Sequence, residues 1–203
     1  MKPKAYIKRF SIKEMYKAIM IGGSAGSFQV VANILGVIPR DIEIPVFLCL
    51  HRLKHVRSGF VEALSLKSNI PVVEPFDKEP IKAGRAYLVP ANYHMFIELG
   101  NRFALSTEEP VNHSRPSIDL TFITAAQAYR NKLIGIILSG ANRDGAFGLK
   151  KISDLGGLTI VQDPKDCEVK TMTEAALQLT KVNYVFTVDK ILDYFRQIKF
   201  TNA

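Results

Sequence analysis

The sequence predicts an α/β protein with a single doubly wound, mainly parallel sheet, helices on both faces and an antiparallel hairpin. Short apolar runs alternate with segments of helical spacing along most of the chain. The runs are almost continuously apolar, which is typical of strands that a parallel sheet buries on both faces. No repeat, low-complexity stretch or linker divides the 203 residues, a length that fits one domain.

Six apolar runs carry the strand prediction, because each is short and rich in β-branched or aromatic residues. They cover residues 18–21, 44–50, 85–89, 133–138, 158–161 and 184–186. The longest, 44–50, is far shorter than the roughly 20 apolar residues of a membrane-spanning helix, so no membrane insertion is expected.

The segments between these runs place apolar residues three and four positions apart, as amphipathic helices do. The predicted helices cover residues 28–37, 56–66, 118–129, 147–155, 172–179 and 188–195. One stretch breaks the alternation: residues 93–99 and 102–105 flank Gly100-Asn101, which predicts an antiparallel hairpin grafted onto the sheet.

Charge is concentrated at the N-terminus. Residues 1–17 contain six Lys or Arg and one Glu, so this basic segment holds +5 of the net charge of +8. The body, residues 18–203, is close to balanced, and no nucleic-acid ligand is expected; the basic segment is interpreted as solvated, with docking as the alternative. Cys49 and Cys167 read as free thiols, and no secretory signal is visible, which predicts a cytoplasmic protein.

The first predicted strand runs into a Gly-rich turn. The spacing Gly22-x-Ser24-x-Gly26 is that of a nucleophile elbow, in which small neighbours allow a sharp strand-to-helix turn that exposes the hydroxyl. A serine N-cap is the competing interpretation. A dinucleotide fingerprint starting at Gly22 would need glycine where Ser24 and Ser27 stand, and no lysine takes a Walker position. Nucleotide binding is therefore disfavoured.

A serine nucleophile needs a histidine base. His51 directly follows the second strand and should emerge at the same sheet edge as Ser24, because carboxyl ends of parallel strands share one edge. His55 is interpreted as a surface residue. Two other pairings stay open, with His94 or His113 as the base and Asp41 or Asp77 as its acid.

An acid must then orient the base. Asp144 lies in a second Gly-rich turn, after the strand at 133–138, and is predicted to reach the same edge. The competing interpretation of Asp144 is an N-cap of the helix that follows. Asp119 is the main rival, although its place after Pro116-Ser117 is typical of an acidic residue in the first turn of a helix. The residues alone thus favour a triad of Ser24, His51 and Asp144.

Several blocks, in order, resemble the catalytic domain of the bacterial chemotaxis-receptor methylesterases across residues 17–195. These are the nucleophile turn at 21–26, the histidine segment at 50–52, the strand block at 83–90 followed by His94, the Arg-Pro-Ser element at 115–119, the acid-bearing turn at 139–146, and Gln162-Asp163-Pro164 with Cys167, Met172 and Ala175-Ala176. Each block alone is weak, whereas the ordered set is specific.

The resemblance implies a serine hydrolase that removes methyl groups from glutamate γ-methyl esters on the cytoplasmic helices of chemoreceptors, and in some members deamidates receptor glutamines. It implies the roles of nucleophile for Ser24, base for His51 and orienting acid for Asp144, with no cofactor and no metal. The backbone N–H groups of Ala25 and Ala141 are the implied oxyanion donors.

Two features depart from the family. It usually carries an N-terminal receiver domain, for which the 17 residues before the first strand leave no room. Ala141-Asn142 stands where Met-Gly is common, and asparagine tolerates left-handed geometry better than most residues do. The sequence therefore leaves an alternative open: a weak or inactive methylesterase-like module that binds a receptor or signalling partner.

Overall fold

The computed structural model describes residues 15–52 and 59–197. Strands in these ranges are β1 (Ala18–Gly23), β2 (Val46–Leu50), β3 (Val72–Val73), β4 (Ala86–Leu88), β5 (His94–Glu98), β6 (Arg102–Ser106), β7 (Leu133–Ile137), β8 (Leu158–Gln162) and β9 (Tyr184–Phe186). The helices are α1 (Phe28–Val37), α2 (Phe60–Ser65), α3 (Ile118–Tyr129), α4 (Ala146–Asp154), α5 (Thr171–Leu179) and α6 (Val188–Gln197).

Seven of the strands form one parallel sheet in the order β3-β4-β2-β1-β7-β8-β9. The chain first builds outward from β1 through β2 and later returns to the other side of β1 with β7. This reversal confirms the predicted doubly wound α/β class and creates a switch point at the carboxyl ends of the central strands.

Helices cover both faces of the sheet because the strands are apolar on both. In β1, Ile19 and Ile21 pack with α1, α2 and α6 on one face, whereas Ala18 and Met20 pack with α3, α4 and α5 on the other. All the residues of β1, β2 and β7 are buried. The site described below therefore rests on a rigid central scaffold.

The hairpin is antiparallel as predicted, but β5 and β6 form a separate two-stranded sheet instead of joining the main one. The hairpin packs on α3, where Met95, Ile97 and Phe103 enter the hydrophobic cluster. The strand β3 escaped prediction because Val72–Val73 has only two residues, too few to show a period.

Other element boundaries differ by a few residues. The strand predicted from residue 44 begins at Val46, and the helix predicted at 56–66 is observed as α2, Phe60–Ser65. Residues 53–58, which include His55, lie outside the described residues, as do 1–14 of the basic segment and 198–203. Among the helices that the structure describes, none is long and apolar enough to cross a membrane.

Candidate active site

Ser24 and His51 lie side by side because neighbouring strands carry them. Gly23, the last residue of β1, pairs with Leu50, the last residue of β2. Ser24 and His51 are therefore each the first residue after a strand. The His51 N–H donates to the Gly23 carbonyl oxygen at 3.0 Å. On the other side of β1, the Ser24 N–H donates to the Ser139 carbonyl oxygen at 2.9 Å. The two predicted residues thus meet at the switch point between the halves of the sheet.

The turn that carries Ser24 is held by side chains from two directions. Ser27 Oγ donates to the Ser24 carbonyl oxygen at 2.7 Å, and Ser139 Oγ donates to the Ala25 carbonyl oxygen at 2.7 Å. Gly26 has φ of +79°, and a Cβ there would lie 2.6 Å from Glu168 Cβ. Only glycine fits this position, which explains the last residue of the elbow spacing.

The Ser24 side chain is partly exposed, and its hydroxyl makes no hydrogen bond within the described part of the chain. Contacts between a nucleophile and its base often tighten only when substrate binds. The hydrogen bond from the His51 N–H to the Gly23 carbonyl oxygen keeps His51 beside Ser24.

Asp144 holds the histidine. His51 Nε2 lies 2.8 Å from Asp144 Oδ2, and the side chains are 13% and 0% exposed. A neutral ring that donates its Nε2 proton to the carboxylate carries its lone pair on Nδ1. The pair therefore has the form of an oriented base, and it links residues 93 positions apart in the chain.

The Asp144 carboxylate accepts three further hydrogen bonds, all from the start of α3. The Ile118 N–H donates to Oδ2 at 2.7 Å, while Ser117 Oγ and the Asp119 N–H donate to Oδ1 at 3.0 and 3.1 Å. Burial opposes ionisation, but the bonds from His51 and from these N–H groups outweigh it, so the pKa of Asp144 lies below its ordinary value. Asp144 is thus held as an anion.

Asp144 does not cap its own helix, which was the competing interpretation. The N-cap of α4 is Gly145, which has φ of +99° and no side chain. Asp119 lies in the first turn of α3 as predicted, but its carboxylate does not contact His51; it accepts N–H groups of Gly145 and Gly148 instead. Each of the two carboxylates therefore accepts N–H groups at the N-terminus of the other residue's helix.

The predicted oxyanion donors lie at the same edge. Ala25 and Ala141 are exposed, and neither backbone N–H donates to another described residue. Both amides are therefore available to a ligand oxygen, which is what an oxyanion hole requires.

Asn142 is not strained where the family often has glycine, because its φ is not among the positive values of the described residues. Its side chain instead braces the acid turn: Oδ1 accepts the Asp144 N–H at 3.1 Å, and Nδ2 donates to Ser114 Oγ at 3.1 Å. The left-handed tolerance of asparagine is therefore not used at this position, where the side chain instead ties the acid turn to Ser114.

The alternative histidines lie elsewhere. His94 is fully buried, where Nδ1 accepts the Ser117 N–H at 3.2 Å and Nε2 lies 3.1 Å from the Glu109 carbonyl oxygen. Both ring nitrogens are thus satisfied by backbone, and His94 supports the residue that binds Asp144. His113 is exposed, and Asp77 accepts the Leu105 N–H beside the hairpin. Neither alternative pairing forms around Ser24.

Sequence reasoning missed the parts played by Ser117 and Ser139. Ser117 was visible only as part of the Arg-Pro-Ser block, and nothing in its spacing indicated a bond to a residue 27 positions away.

No group of three or more His, Cys, Asp or Glu side chains in residues 15–52 and 59–197 is arranged to hold a metal ion.

Comparison with known proteins finds methylesterases. The CheB methylesterase family model matches residues 19–195. A Leptospira interrogans protein, named provisionally as a protein-glutamate methylesterase/protein-glutamine glutaminase, is 43% identical over 92% of this chain and 97% of its own. A Clostridium acetobutylicum protein-glutamate methylesterase/protein-glutamine glutaminase is 31% identical over 87% of this chain, which spans 51% of that relative.

A solved structure is also similar. The crystal structure of the Thermotoga maritima CheB methylesterase catalytic domain superposes with a TM-score of 0.84 at 28% identity. The match covers 90% of this chain and 98% of that one. The fold of this chain is therefore that of a known enzyme domain.

Proposed function

From the premise that this chain belongs to the CheB methylesterase family, we propose that it is a serine hydrolase acting on glutamate γ-methyl esters of chemoreceptors. The observation that carries the proposal is the 2.8 Å bond from His51 Nε2 to an Asp144 carboxylate with three other donors, directly beside Ser24. A purely structural Asp–His pair would have no reason to lie next to a partly exposed serine hydroxyl on a tight turn.

Acylation begins when Ser24 Oγ attacks the γ-carbonyl carbon of the methyl ester and His51 Nδ1 takes the hydroxyl proton. The carbonyl oxygen becomes an oxyanion that accepts the Ala25 and Ala141 N–H groups. The C–O bond to the methoxy group then breaks, and the histidine returns the proton, so that methanol leaves. Ser24 now carries the glutamyl group as an ester.

Deacylation repeats the sequence with water. His51 takes a proton from water, the hydroxide attacks the acyl carbon, and the Ser24 C–O bond breaks as the proton returns to Oγ. The product is a glutamate carboxyl group. A glutamine side chain enters the same path with ammonia as the leaving group, which accounts for the second activity in the names of the relatives.

Asp144 supports both steps electrostatically. Its ionised carboxylate stabilises the imidazolium that forms when His51 accepts a proton, and it fixes which nitrogen carries the other one. No step calls for a metal or an organic cofactor.

The substrate and the setting follow from the family. We infer that residues 18–203 make up the catalytic domain, that residues 1–17 are a basic segment preceding it in the sequence, and that the substrate is a methylated receptor helix in the cytoplasm. A receptor helix presents its esterified side chain on a convex surface, which suits a nucleophile at an open sheet edge.

The test is methanol release from a receptor fragment carrying labelled methyl esters. Ser24→Ala should lower the rate by at least about 10⁴-fold, because loss of the nucleophile leaves only binding and the oxyanion donors. Ser65→Ala, at an exposed serine that ends α2, is the matched control and should keep the wild-type rate. Receptor binding without methanol release from wild type would instead support the alternative, a module that only binds.

A further inference from the structure

A second buried carboxylate, Asp119, lies next to Asp144. Asp119 is 5% exposed, and its Oδ1 accepts the Gly145 N–H at 2.9 Å and the Gly148 N–H at 2.7 Å. Gly145 directly follows Asp144, so the first of these bonds anchors the peptide unit that carries the triad acid.

The two acids form a reciprocal clasp between α3 and α4. Asp144, from the turn before α4, accepts the Ile118 and Asp119 N–H groups that begin α3. Asp119, from the first turn of α3, accepts the N–H groups that begin α4. Each helix N-terminus carries a partial positive charge and unpaired N–H donors, so each favours the other helix's carboxylate.

The close approach of the helices makes this exchange feasible. A Cβ at Gly148 would lie 2.4 Å from Phe122 Cβ and 3.2 Å from Asp119 Cα, so only glycine lets α4 come this near to α3. At Gly145 a Cβ would lie 2.7 Å from Ile118 Cγ2. Two glycines thus bring the N–H groups within reach of one carboxylate.

The electrostatics of the pair support an ionised clasp at neutral pH. Burial is the main cause that raises the pKa of Asp119 to about 6; the N–H groups of Gly148 and Gly145 oppose it, and the charge on Asp144 adds to it. Burial also raises the pKa of the nearby Cys49 thiol, which is therefore neutral. A hydrogen bond with the Asp144 side chain also raises the pKa of Asp119, whereas the N–H groups at the start of α4 favour the ionised form of Asp119.

We propose that Asp119 is a positioning residue for the triad: by fastening the first turn of α4, it fixes the orientation of the Asp144 carboxylate toward His51. It touches neither substrate nor His51, and it acts through the Gly145 peptide. The inference rests on the proposed function and adds the Asp119 carboxylate to that site as a support of the triad acid.

The test compares Asp119→Ala with Asp119→Asn in steady-state methanol release, alongside wild type and Ser24→Ala. Asp119→Ala should lower kcat on the order of 100-fold, the loss expected when a catalytic group is misplaced by about 1 Å, with KM changed less than about twofold. Asp119→Asn retains an oxygen that can accept both N–H groups, so its kcat should stay within about tenfold of wild type. Thermal melting of each variant confirms that the measured protein is folded.

The outcomes separate the two proposals. Serine-dependent turnover by wild type, with the kcat of Asp119→Ala unchanged, would overturn the positioning role alone. An asparagine variant that is folded and as slow as the alanine variant, or a loss that falls on KM, would also overturn it. Wild type without serine-dependent turnover would overturn the proposed function and the positioning role together.

Discussion

Replacing Ser117 with alanine removes one specific support of the Asp144 carboxylate. The hydroxyl is fully buried and has two partners: it donates to Asp144 Oδ1 at 3.0 Å, and it accepts the Leu120 N–H at 3.3 Å as the N-cap of α3. The backbone bonds from Ile118 and Asp119 to Asp144 remain in the variant. The change therefore isolates one charge-assisted hydrogen bond and one helix cap.

The expected cost follows from these two bonds. A hydrogen bond to a buried ionised carboxylate contributes about 2 kcal/mol, and an N-cap serine contributes about 1 kcal/mol. The Ser117→Ala variant should therefore lose about 3 kcal/mol of unfolding free energy at pH 7, measured by urea denaturation. The Ser65→Ala variant should stay within about 0.5 kcal/mol of wild type.

The pH dependence separates the two contributions. Because the pKa of Asp144 is lowered on folding, its ionised form adds stability above its unfolded value of 3.8, and this stability disappears as pH falls through the folded value. The difference between wild type and Ser117→Ala should thus shrink toward the roughly 1 kcal/mol of the cap in acid. A difference below about 1 kcal/mol at pH 7, or one that does not change with pH, would show that Ser117 does not stabilise the ionised Asp144.

Two further substitutions test neighbouring supports. Asn142→Gly should lower kcat by roughly tenfold, because it removes the bonds to the Asp144 N–H and to Ser114 Oγ, each of about 1 kcal/mol; a faster enzyme would show that the family's usual glycine is better here. Arg52→Met removes a buried guanidinium that donates to the Val89 carbonyl oxygen at 2.6 Å and to the partly exposed Glu74, so the melting curve should report a loss of about 2 kcal/mol, and no loss would contradict that role.

The sequence predicts the sheet well because burial dominates it. The central strands are continuous apolar runs, which are stable only when both of their faces are buried. All six predicted runs are strands of the main sheet. The separate hairpin sheet could not be predicted, because alternation within residues 93–105 does not say which surface its apolar side will cover. The answer depends on α3, which lies later in the chain.

The site shows the same division. Ser24 and His51 were predictable because each directly follows a strand, and strand ends converge by topology. It was not predictable that Asp119 of α3 and Asp144 before α4 each bind the N-terminus of the other helix. In the sequence, an Asp beside the start of a helix has the same pattern whether it caps its own helix or a neighbouring one. Only the crossing of the helices at Gly148 decides that Asp144 faces His51 while Asp119 holds the turn.

The mass of the covalent intermediate shows most directly whether Ser24 is the nucleophile. A receptor fragment with γ-methyl esters is mixed with the enzyme, quenched in acid and digested, and the adducts are located by mass spectrometry. We expect an adduct with the mass of the substrate peptide minus methanol, on Ser24 alone and absent from the Ser24→Ala variant. An adduct on another residue, or undiminished methanol release by Ser24→Ala, would contradict it.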